Sequence, residues 1–334
     1  MRSNPLLRVL ALLFSFVFVI AACGDDDDTD TSAGDADTSA DDGGDAADGE
    51  AASADNADWP DKLVFGAVPA EESSALEENY DPIIELLEQE LGVEIEFFQA
   101  TDYAGIIEAQ IAGNVDLAQY GPFSYVIAKT NGANIEPAGA MVDAEGEEPG
   151  YQSYAITRPD TGIESLADFA GKTVCFVDPG STSGFLYPSA GLLDEGIDPN
   201  DDVTPVFAGG HDASGISVAN GDCDAGFAFD EMVESILVDN GDIADGDLTT
   251  VWKSEVIAGS PLAVSLDLPA DMVAEIQRII VEHANEDYLL EVGICEGECK
   301  LTDEDVWGYA QVDDSFYDGV RAVCESTKAE ACES

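Results

Sequence analysis

Three consecutive hydroxyl residues mark the segment of this 334-residue sequence that is best suited to bind an anion. Ser181, Thr182 and Ser183 follow a predicted strand at 173–177 and an Asp-Pro-Gly turn, and a helix is predicted directly after them. The first turn of a helix carries unpaired N–H groups and a partial positive charge. With three hydroxyl donors added, this turn predicts a site for a tetrahedral oxyanion that needs no lysine or arginine. The alternative is that one hydroxyl merely caps the helix.

His211 is a second candidate donor. It follows a Gly-Gly turn after a predicted strand at 203–208, so we expect it at the carboxyl end of a strand, where α/β sheets bind ligands. The negative field of the chain favours the protonated, charged form of its imidazole. The alternative is a turn histidine that faces solvent. His283 lies in a predicted helix and is assigned to packing or to the surface.

Three tyrosines and one acid stand at similar positions. Tyr103, Tyr120 and Tyr151 each lie at a strand end or a helix start, where a tyrosine can face a cleft with its hydroxyl as a donor. Each is also a candidate core residue. Glu231 follows another predicted strand and is the one acid that we expect beside a ligand; the other acids are assigned mainly to a solvated surface.

Catalytic motifs are incomplete in this sequence. Ser181 or Ser183 could pair with His211, but the Gly-x-Ser-x-Gly turn of serine hydrolases is absent around them. Residues 171–173 read Gly-Lys-Thr, yet Leu166 stands where a phosphate-binding loop requires its first glycine. We therefore expect no catalytic residues, no metal and no cofactor. An exported phosphoester hydrolase stays open as an alternative of another class.

The chain is strongly acidic, with 71 Asp and Glu against 11 Lys and Arg and a net charge of -60. This charge excludes nucleic acids and anionic lipid surfaces as partners that are recognised by charge. A hydrophobic fraction of 45% still allows a real core, and the length fits about two domains of roughly 100–200 residues. We expect a globular protein that works in salty water, where such charge is screened.

The N-terminus predicts export and anchoring. Residues 1–22 combine a basic start with an apolar run that is too short to span a bilayer, as in a signal peptide. Ile-Ala-Ala directly before Cys23 resembles the lipobox of bacterial lipoproteins, which implies a diacylated Cys23. Residues 23–60 then predict a lipidated cysteine and an acidic, disordered tether without large apolar side chains. The alternative is an ordinary signal peptide with a chance cysteine.

Six further cysteines, an even number in an exported chain, favour disulfides. Cys295 with Cys299 and Cys324 with Cys332 are local pairs, and Cys175 with Cys223 would link two central segments, although sequence alone leaves the pairing open. A zinc site would need tighter Cys or His spacing.

The elements that position these residues alternate between short apolar runs and amphipathic stretches. The predicted strands are 63–68, 93–98, 115–119, 173–177, 203–208, 225–229 and 248–252, and the predicted helices include 102–112, 212–220 and 269–285. Such alternation is typical of α/β folds with mostly parallel sheets. The sequence therefore predicts two α/β lobes.

Several of these segments, in this order, resemble the phosphate, phosphite and phosphonate-binding proteins of ABC importers. The matching stretches are 100–105, 115–122, 149–153, 178–185, 208–212, 218–221 and 251–254. The block from Asp178 to Leu186, with its three hydroxyl residues, is the most specific of them. The resemblance covers about residues 63–268.

The resemblance implies a bilobed type II periplasmic-binding-protein fold whose two lobes are joined by two hinge strands and close over a ligand. Lobe 1 would comprise residues 61–153 and 258–334, and lobe 2 residues 154–257.

In the family, phosphonate oxygens are held by a hydroxyl block and a histidine, which map onto Ser181, Thr182, Ser183 and His211. Tyr103 and Tyr151 map onto tyrosines that line the cleft, and Glu231 onto a carboxylate that meets a substrate ammonium. A second acid of the aminophosphonate binder is replaced here by Ser260. Losing it weakens the case for an aminoalkyl ligand, because a buried ammonium needs paired anions. Phosphite, methylphosphonate or phosphate then becomes the better candidate.

The function expected is therefore capture of a small phosphorus oxyanion by a monomeric, lipid-anchored protein that delivers it to an ABC permease with its ATPase. Binding of another oxyanion such as a sulfonate, or service as a sensor component, are the other hypotheses.

Overall fold

The structure, a computed structural model, describes residues 58–71, 76–297, 299–302, 304 and 306–332. The predicted signal peptide, Cys23 and the predicted tether up to residue 57 lie outside the described residues. The strands are β1 (Lys62–Ala67), β2 (Glu94–Phe98), β3 (Leu117–Gln119), β4 (Ile135–Val142), β5 (Gly150–Tyr151), β6 (Ser153–Thr157), β7 (Thr173–Phe176), β8 (Thr204–Phe207), β9 (Ala225–Phe229), β10 (Thr249–Lys253), β11 (Ile257–Ala258), β12 (Pro261–Ser265) and β13 (Gly308–Ala310).

The helices lie between these strands in the alternation that the apolar runs predict. They are α1 (Leu76–Leu91), α2 (Tyr103–Ile111), α3 (Pro122–Thr130), α4 (Tyr187–Asp194), α5 (His211–Asn220), α6 (Leu237–Asp239), α7 (Ala270–Glu282), α8 (Glu286–Val292) and α9 (Asp318–Thr327). The spacing of the apolar residues decides which face of each helix is buried. In α7, for example, Met272, Ile276, Ile279 and Ile280 are fully buried.

The first sheet contains six strands in the order β13-β4-β12-β3-β1-β2. Strand β1 pairs in parallel with β2 and β3, whereas β12 runs antiparallel to β3 and β4. Helices α1 and α7 bury their apolar faces against this sheet, with Phe65 and Leu117 in the same core cluster. We call this sheet with α1–α3 and α7–α9 lobe 1.

The second sheet contains five strands in the order β10-β6-β9-β7-β8. Strand β7 is parallel to β8 and β9, and β6 is antiparallel to β9 and β10. Phe176 and Phe227 stack with ring centroids 5.5 Å apart in the core of this sheet. We call this sheet with α4–α6 lobe 2.

The chain passes between the sheets at β5 and at β11, which pair with each other in antiparallel register. This arrangement confirms the predicted α/β fold of two lobes joined by two strands. The described residues from 58 onwards form one compact unit by their internal contacts, so the two lobes pack closely against each other. The lobe boundaries at 153/154 and 257/258 stay a prediction.

Three disulfides form among the described residues, and they join the pairs that the spacing suggested: Cys175–Cys223, Cys295–Cys299 and Cys324–Cys332. The first ties β7 to the loop before β9 inside lobe 2. Among the described helices, none is both long and apolar enough to cross a membrane.

Candidate functional site

A small cavity between the two lobes collects most of the residues that the sequence singled out. About 20 Å³ of it is open to the centre of a water-sized sphere, which leaves room for a group of a few atoms. The predicted residues that line it are Ser181, Thr182, Ser183, His211, Tyr103, Tyr120, Tyr151 and Ser260.

The hydroxyl block sits at the predicted junction of strand, turn and helix. Strand β7 ends at Phe176, and a π-helical turn at Thr182–Leu186 leads directly into α4. The turn is possible because residue 184 is glycine: a β-carbon there would collide with the Val177 side chain. The block therefore lies at the N-terminus of a helix, where free N–H groups favour anions.

Ser181 is the N-cap of this turn. Its Oγ accepts a hydrogen bond from the Gly184 N–H at 3.1 Å and lies 3.3 Å from His211 Nε2. Both expectations for the block thus apply to this one serine, because it caps the helix and also lines the cavity.

Thr182 and Ser183 connect the block to the opposite wall. Thr182 Oγ1 accepts a hydrogen bond of 2.8 Å from the Phe123 N–H, so it joins lobe 2 to the start of α3 in lobe 1. The hydroxyls of Thr182 and Ser183 favour the ionised form of the nearby Tyr151 hydroxyl, which partly offsets the rise of its pKa on burial. All three block residues are about 2% exposed, so their hydroxyl protons are directed within the protein and not into solvent.

His211 begins α5 and is buried against Phe229, whose ring lies edge-on at 4.9 Å between centroids. Its Nδ1 accepts a hydrogen bond of 3.3 Å from the Phe229 backbone N–H, which assigns the ring proton to Nε2. Burial lowers the pKa of His211 to about 3. The expectation of a charged imidazole is therefore wrong, because desolvation outweighs the distant negative charge. His211 offers the cavity one neutral N–H donor.

Tyr103 and Tyr151 line the cavity from α2 of lobe 1 and from the connecting strand β5. Tyr103 starts α2, whose N-cap is Asp102, and its backbone N–H donates to the Asp178 carboxylate across the cleft. Gly180 allows this approach, since a β-carbon there would lie 3.2 Å from Tyr103 Cβ. Tyr151 belongs to the crossing strand β5, and burial raises the pKa of its hydroxyl. Both tyrosines thus lie where the lobes meet.

Tyr120 and Ser260 complete the predicted wall. The Tyr120 hydroxyl lies 3.4 Å from the Ile106 carbonyl inside lobe 1, and burial raises its pKa. Its ring therefore forms the surface of the cavity, and its hydroxyl is directed away. Ser260 lies just before β12, buried at 6% exposure, with its carbonyl accepting from the Met141 N–H at 3.0 Å.

Glu231 is not brought into this cavity, although it follows β9 as predicted. It is half-buried at the start of a second π-helical turn, Met232–Ile236, and its carbonyl accepts from Ser235 Oγ at 3.0 Å. The neighbouring Asp230 carboxylate accepts from the Gln152 N–H at 2.9 Å.

The sequence analysis missed several lining residues, among them Gln119 and Glu304. Gln119 directly precedes Tyr120 at the end of β3, so its position at a strand end could have identified it. Its amide oxygen accepts from the Tyr309 hydroxyl at 2.9 Å. Glu304 comes from the irregular segment before β13, and no local pattern distinguishes it from the other acids of the chain.

The chemistry of the wall is that of neutral donors. Across the part of the chain that the structure describes, no lysine or arginine lines the cavity. Ser181 and His211 do not form a nucleophile and base, because Nε2 already carries a proton and cannot accept one from the Ser181 hydroxyl. The donors of this wall could hold an anion by hydrogen bonds.

Comparison with known proteins identifies relatives of this arrangement. A family model described as the phosphonate-specific periplasmic substrate-binding protein of ABC transporters matches residues 65–306. The phosphate-import protein PhnD of Mycolicibacterium smegmatis is 51% identical over 283 residues, which cover 82% of this chain and 88% of that protein. The phosphonates-binding periplasmic protein of Escherichia coli is 32% identical over 204 residues, or 60% of each chain.

A solved structure supports the same assignment. The binding protein component of an ABC phosphonate transporter from Pseudomonas aeruginosa has a TM-score of 0.69 and 26% identity, over 81% of this chain and 87% of that one. Members of the matching family are transporter components that bind a substrate, and they are not enzymes. The resemblance noted in the sequence is thus confirmed, and the chain belongs to the phosphonate-binding family of periplasmic substrate-binding proteins of ABC transporters.

Proposed function

We propose that this protein captures a small phosphorus oxyanion and delivers it to an ABC permease with its ATPase. Inorganic phosphate is the first candidate ligand, and the phosphonates are the second. The observation that carries the proposal is a small cavity between the lobes whose hydroxyl block lies at a helix N-terminus. The name of the Mycolicibacterium smegmatis relative, a phosphate-import protein, favours phosphate as the first candidate.

The roles of the cavity residues follow from their donors. Ser181, Thr182 and Ser183 would surround the oxyanion with hydroxyls and with the N–H groups of the π-helical turn, and His211 would donate through Nε2. Tyr103 and Tyr151 would cover the ligand when the lobes close. Binding by neutral donors makes selectivity depend on geometry, because each buried donor left unmatched costs about 1–3 kcal/mol.

The size of the cavity favours a ligand without an extended organic part. Its open volume suits a tetrahedral group and leaves little space for an aminoalkyl chain. Ser260 lies in the wall where the aminophosphonate binder of this family carries an acid, and Glu231 lies outside the lining. An ammonium would therefore lack the pair of anions that its burial requires.

The remaining parts of the proposal concern place and assembly. We propose that Cys23 carries a lipid anchor, that residues 23–60 tether the body to the membrane surface, and that the protein acts as an exported monomer. The composition of that segment, rich in Asp and Ala and without large apolar side chains, supports an extended tether.

Calorimetric titration of the purified protein tests the ligand class. The titrants are phosphate, phosphite, methylphosphonate, 2-aminoethylphosphonate and sulfate. We expect phosphate to bind, and Ser183→Ala to weaken its binding about 10-fold or more, since one buried hydroxyl donor is lost. Ser326→Ala is the matched control, because Ser326 is exposed on α9 and should leave the affinity unchanged.

Two outcomes would overturn the proposal. One is that no phosphorus oxyanion binds, and the other is that sulfate binds best. Equal losses of affinity in Ser183→Ala and Ser326→Ala would show that the cavity is not the binding site.

A further inference from the structure

Glu304 brings a carboxylate to the wall of a cavity that is otherwise suited to an anion. It lies after the Cys295–Cys299 disulfide and shortly before β13. Its backbone is held firmly: its N–H donates to Thr302 Oγ1 at 3.0 Å, and its carbonyl accepts from the same hydroxyl at 2.9 Å and from the Val306 N–H at 3.1 Å. Thr302 is fully buried. These bonds hold the backbone at Glu304 in one local conformation, from which its side chain reaches the cavity wall.

The charge of Glu304 reaches the groups that would hold the ligand. It lines the same cavity as Ser183 and Tyr151, and its negative charge adds to burial in raising the pKa of the Tyr151 hydroxyl. Thr182 and Ser183 of the hydroxyl block line this cavity too and act on the same Tyr151 hydroxyl, whose pKa they lower. An oxyanion on the block would thus lie within the electrostatic reach of this carboxylate.

An ionised carboxylate can only accept hydrogen bonds. Beside a fully deprotonated anion it would repel the ligand, and the cavity wall described here has no lysine or arginine to offset that repulsion. Beside an oxygen that still carries a proton, the same carboxylate forms a short, charge-assisted O–H···O⁻ bond. Whether the Glu304 carboxylate opposes or favours binding therefore depends on one proton of the ligand.

We propose that Glu304 determines specificity by accepting a hydrogen bond from a protonated oxygen of the ligand, so that the cavity selects oxyanions that retain a P–O–H group. This inference rests on the proposed function and deepens it. It assigns the hydroxyl block and His211 to the unprotonated oxygens, and Glu304 to the protonated one.

The proposal predicts that the affinity of each ligand depends on whether it still carries a P–O–H proton. Phosphate keeps one P–O–H at neutral and mildly alkaline pH. Methylphosphonate loses its last P–O–H proton when it becomes a dianion, and sulfate has none near neutral pH. Methylphosphonate should therefore bind progressively worse than phosphate as the pH rises, and sulfate should be rejected throughout.

The test is titration of the purified protein with these three ligands and with 2-aminoethylphosphonate from about pH 6 to about pH 9, the range in which methylphosphonate loses its last P–O–H proton. In the wild type, we expect the phosphate to methylphosphonate affinity ratio to rise roughly 10-fold across this range. In Glu304→Gln, an amide N–H can donate to a bare oxygen, so the ratio should become flat and sulfate binding should appear.

Two further variants make the test specific. Glu304→Asp keeps the carboxylate on a shorter side chain and should keep part of the discrimination against sulfate. Glu108→Gln removes one exposed negative charge on α2 and should behave as the wild type. This control distinguishes loss of the hydrogen-bond acceptor at Glu304 from the change of one unit in net charge. Thermal melting of each variant shows whether it is folded.

The outcomes separate this inference from the proposed function. If no phosphorus oxyanion binds the wild type, the proposed function fails. If phosphate binds, but Glu304→Gln keeps the pH-dependent ratio and still rejects sulfate, only the role of Glu304 is overturned. Selective loss of 2-aminoethylphosphonate binding in Glu304→Gln would also overturn it, because the carboxylate would then recognise an ammonium.

Discussion

At His211, the loss of hydration outweighs the negative charge of the whole chain. The imidazole is neutral because burial lowers its pKa to about 3, whereas a solvated histidine in the unfolded chain titrates near pH 6.5. Between these values the unfolded state binds more protons than the folded state. The contribution of His211 to stability is therefore complete above about pH 6.5 and is lost as the pH falls towards 3.

The fall in stability at low pH that His211 causes can be tested with His211→Gln. The variant lacks the titrating group, so its stability should depend less on pH than that of the wild type. We expect the difference in free energy of unfolding, wild type minus variant, to decrease by about 1 kcal/mol for each pH unit below about 6.5. Urea unfolding of both proteins from about pH 7.5 to about pH 5 measures it, and the acids common to both cancel. A difference that does not change with pH would mean that His211 is solvated in the folded state.

Single residues were predictable from sequence where a local pattern carried them. Ser181, Thr182 and Ser183 stand at a strand-turn-helix junction, and such junctions bind anions in α/β folds. The acid at the cavity was not predictable in this way: Glu231 has the local signal but lies outside the lining, whereas Glu304 has none and lines the wall. Which acid reaches a cavity depends on long-range packing of segments that lie far apart in the chain.

At the scale of elements, the turn from β7 into α4 depends on Gly184. A β-carbon there would overlap Val177 and come within 2.8 Å of Ser181 Oγ, and both are parts of the turn itself. Backbone movement would be needed to relieve the overlap. The same movement would displace the hydroxyl block that lines the cavity.

Gly184→Ala should therefore lower the free energy of unfolding by about 1–3 kcal/mol, as overpacking of a filled site does, and should weaken phosphate binding. Gly319→Ala is the matched control. Gly319 lies within α9, and a β-carbon there meets no neighbouring atom, so alanine should leave stability unchanged or raise it by up to about 1 kcal/mol. Thermal melts and titration of both variants measure these effects. Equal behaviour of the two variants would contradict the role of this turn.

Element prediction succeeded where the apolar pattern was regular. The strand at 225–229 and the helices α5 and α7 lie close to their predicted positions. Strands β4, β6 and β12 were not predicted, although they lie inside the sheets. The residues of β4 include Pro137 and Gly139, which disfavour strands when judged locally. Pairing with β12 and β13 stabilises it, and that pairing is invisible to a local pattern.

On the scale of the whole molecule, direct hydrogen bonds hold the two lobes together around the cavity. The backbone N–H of His211 donates to the Ala70 carbonyl at 2.8 Å, and the backbone N–H of Phe123 donates to Thr182 Oγ1 at 2.8 Å. His211 and Thr182, the lobe 2 residues of these two bonds, also line the cavity. Groups that would hold the ligand thus also join the lobes, which couples binding to closure. The alternation of strands and helices predicted two α/β lobes, but the two strands that connect them were predictable only through the family resemblance, since neither sheet is continuous in sequence.

The overall charge of the protein acts against an anionic ligand. With a net charge of -60, the protein repels an approaching anion, and the donors that the cavity wall would offer it are neutral and act at short range. Salt screens the first effect strongly and the second weakly, because buried groups are screened much less. Raising the ionic strength from about 10 mM to about 150 mM shortens the Debye length from about 30 Å to about 8 Å.

We therefore expect phosphate to bind several-fold more tightly at about 150 mM than at about 10 mM salt, the opposite of the salt dependence of a site built from lysine and arginine. Equilibrium dialysis with radiolabelled phosphate measures the dissociation constant across this range. Acetate and chloride salts are compared, because an anion that competes in the cavity weakens binding in a way that depends on its identity. If affinity falls equally with both salts, a local positive field governs binding, and the cavity does not work through neutral donors alone.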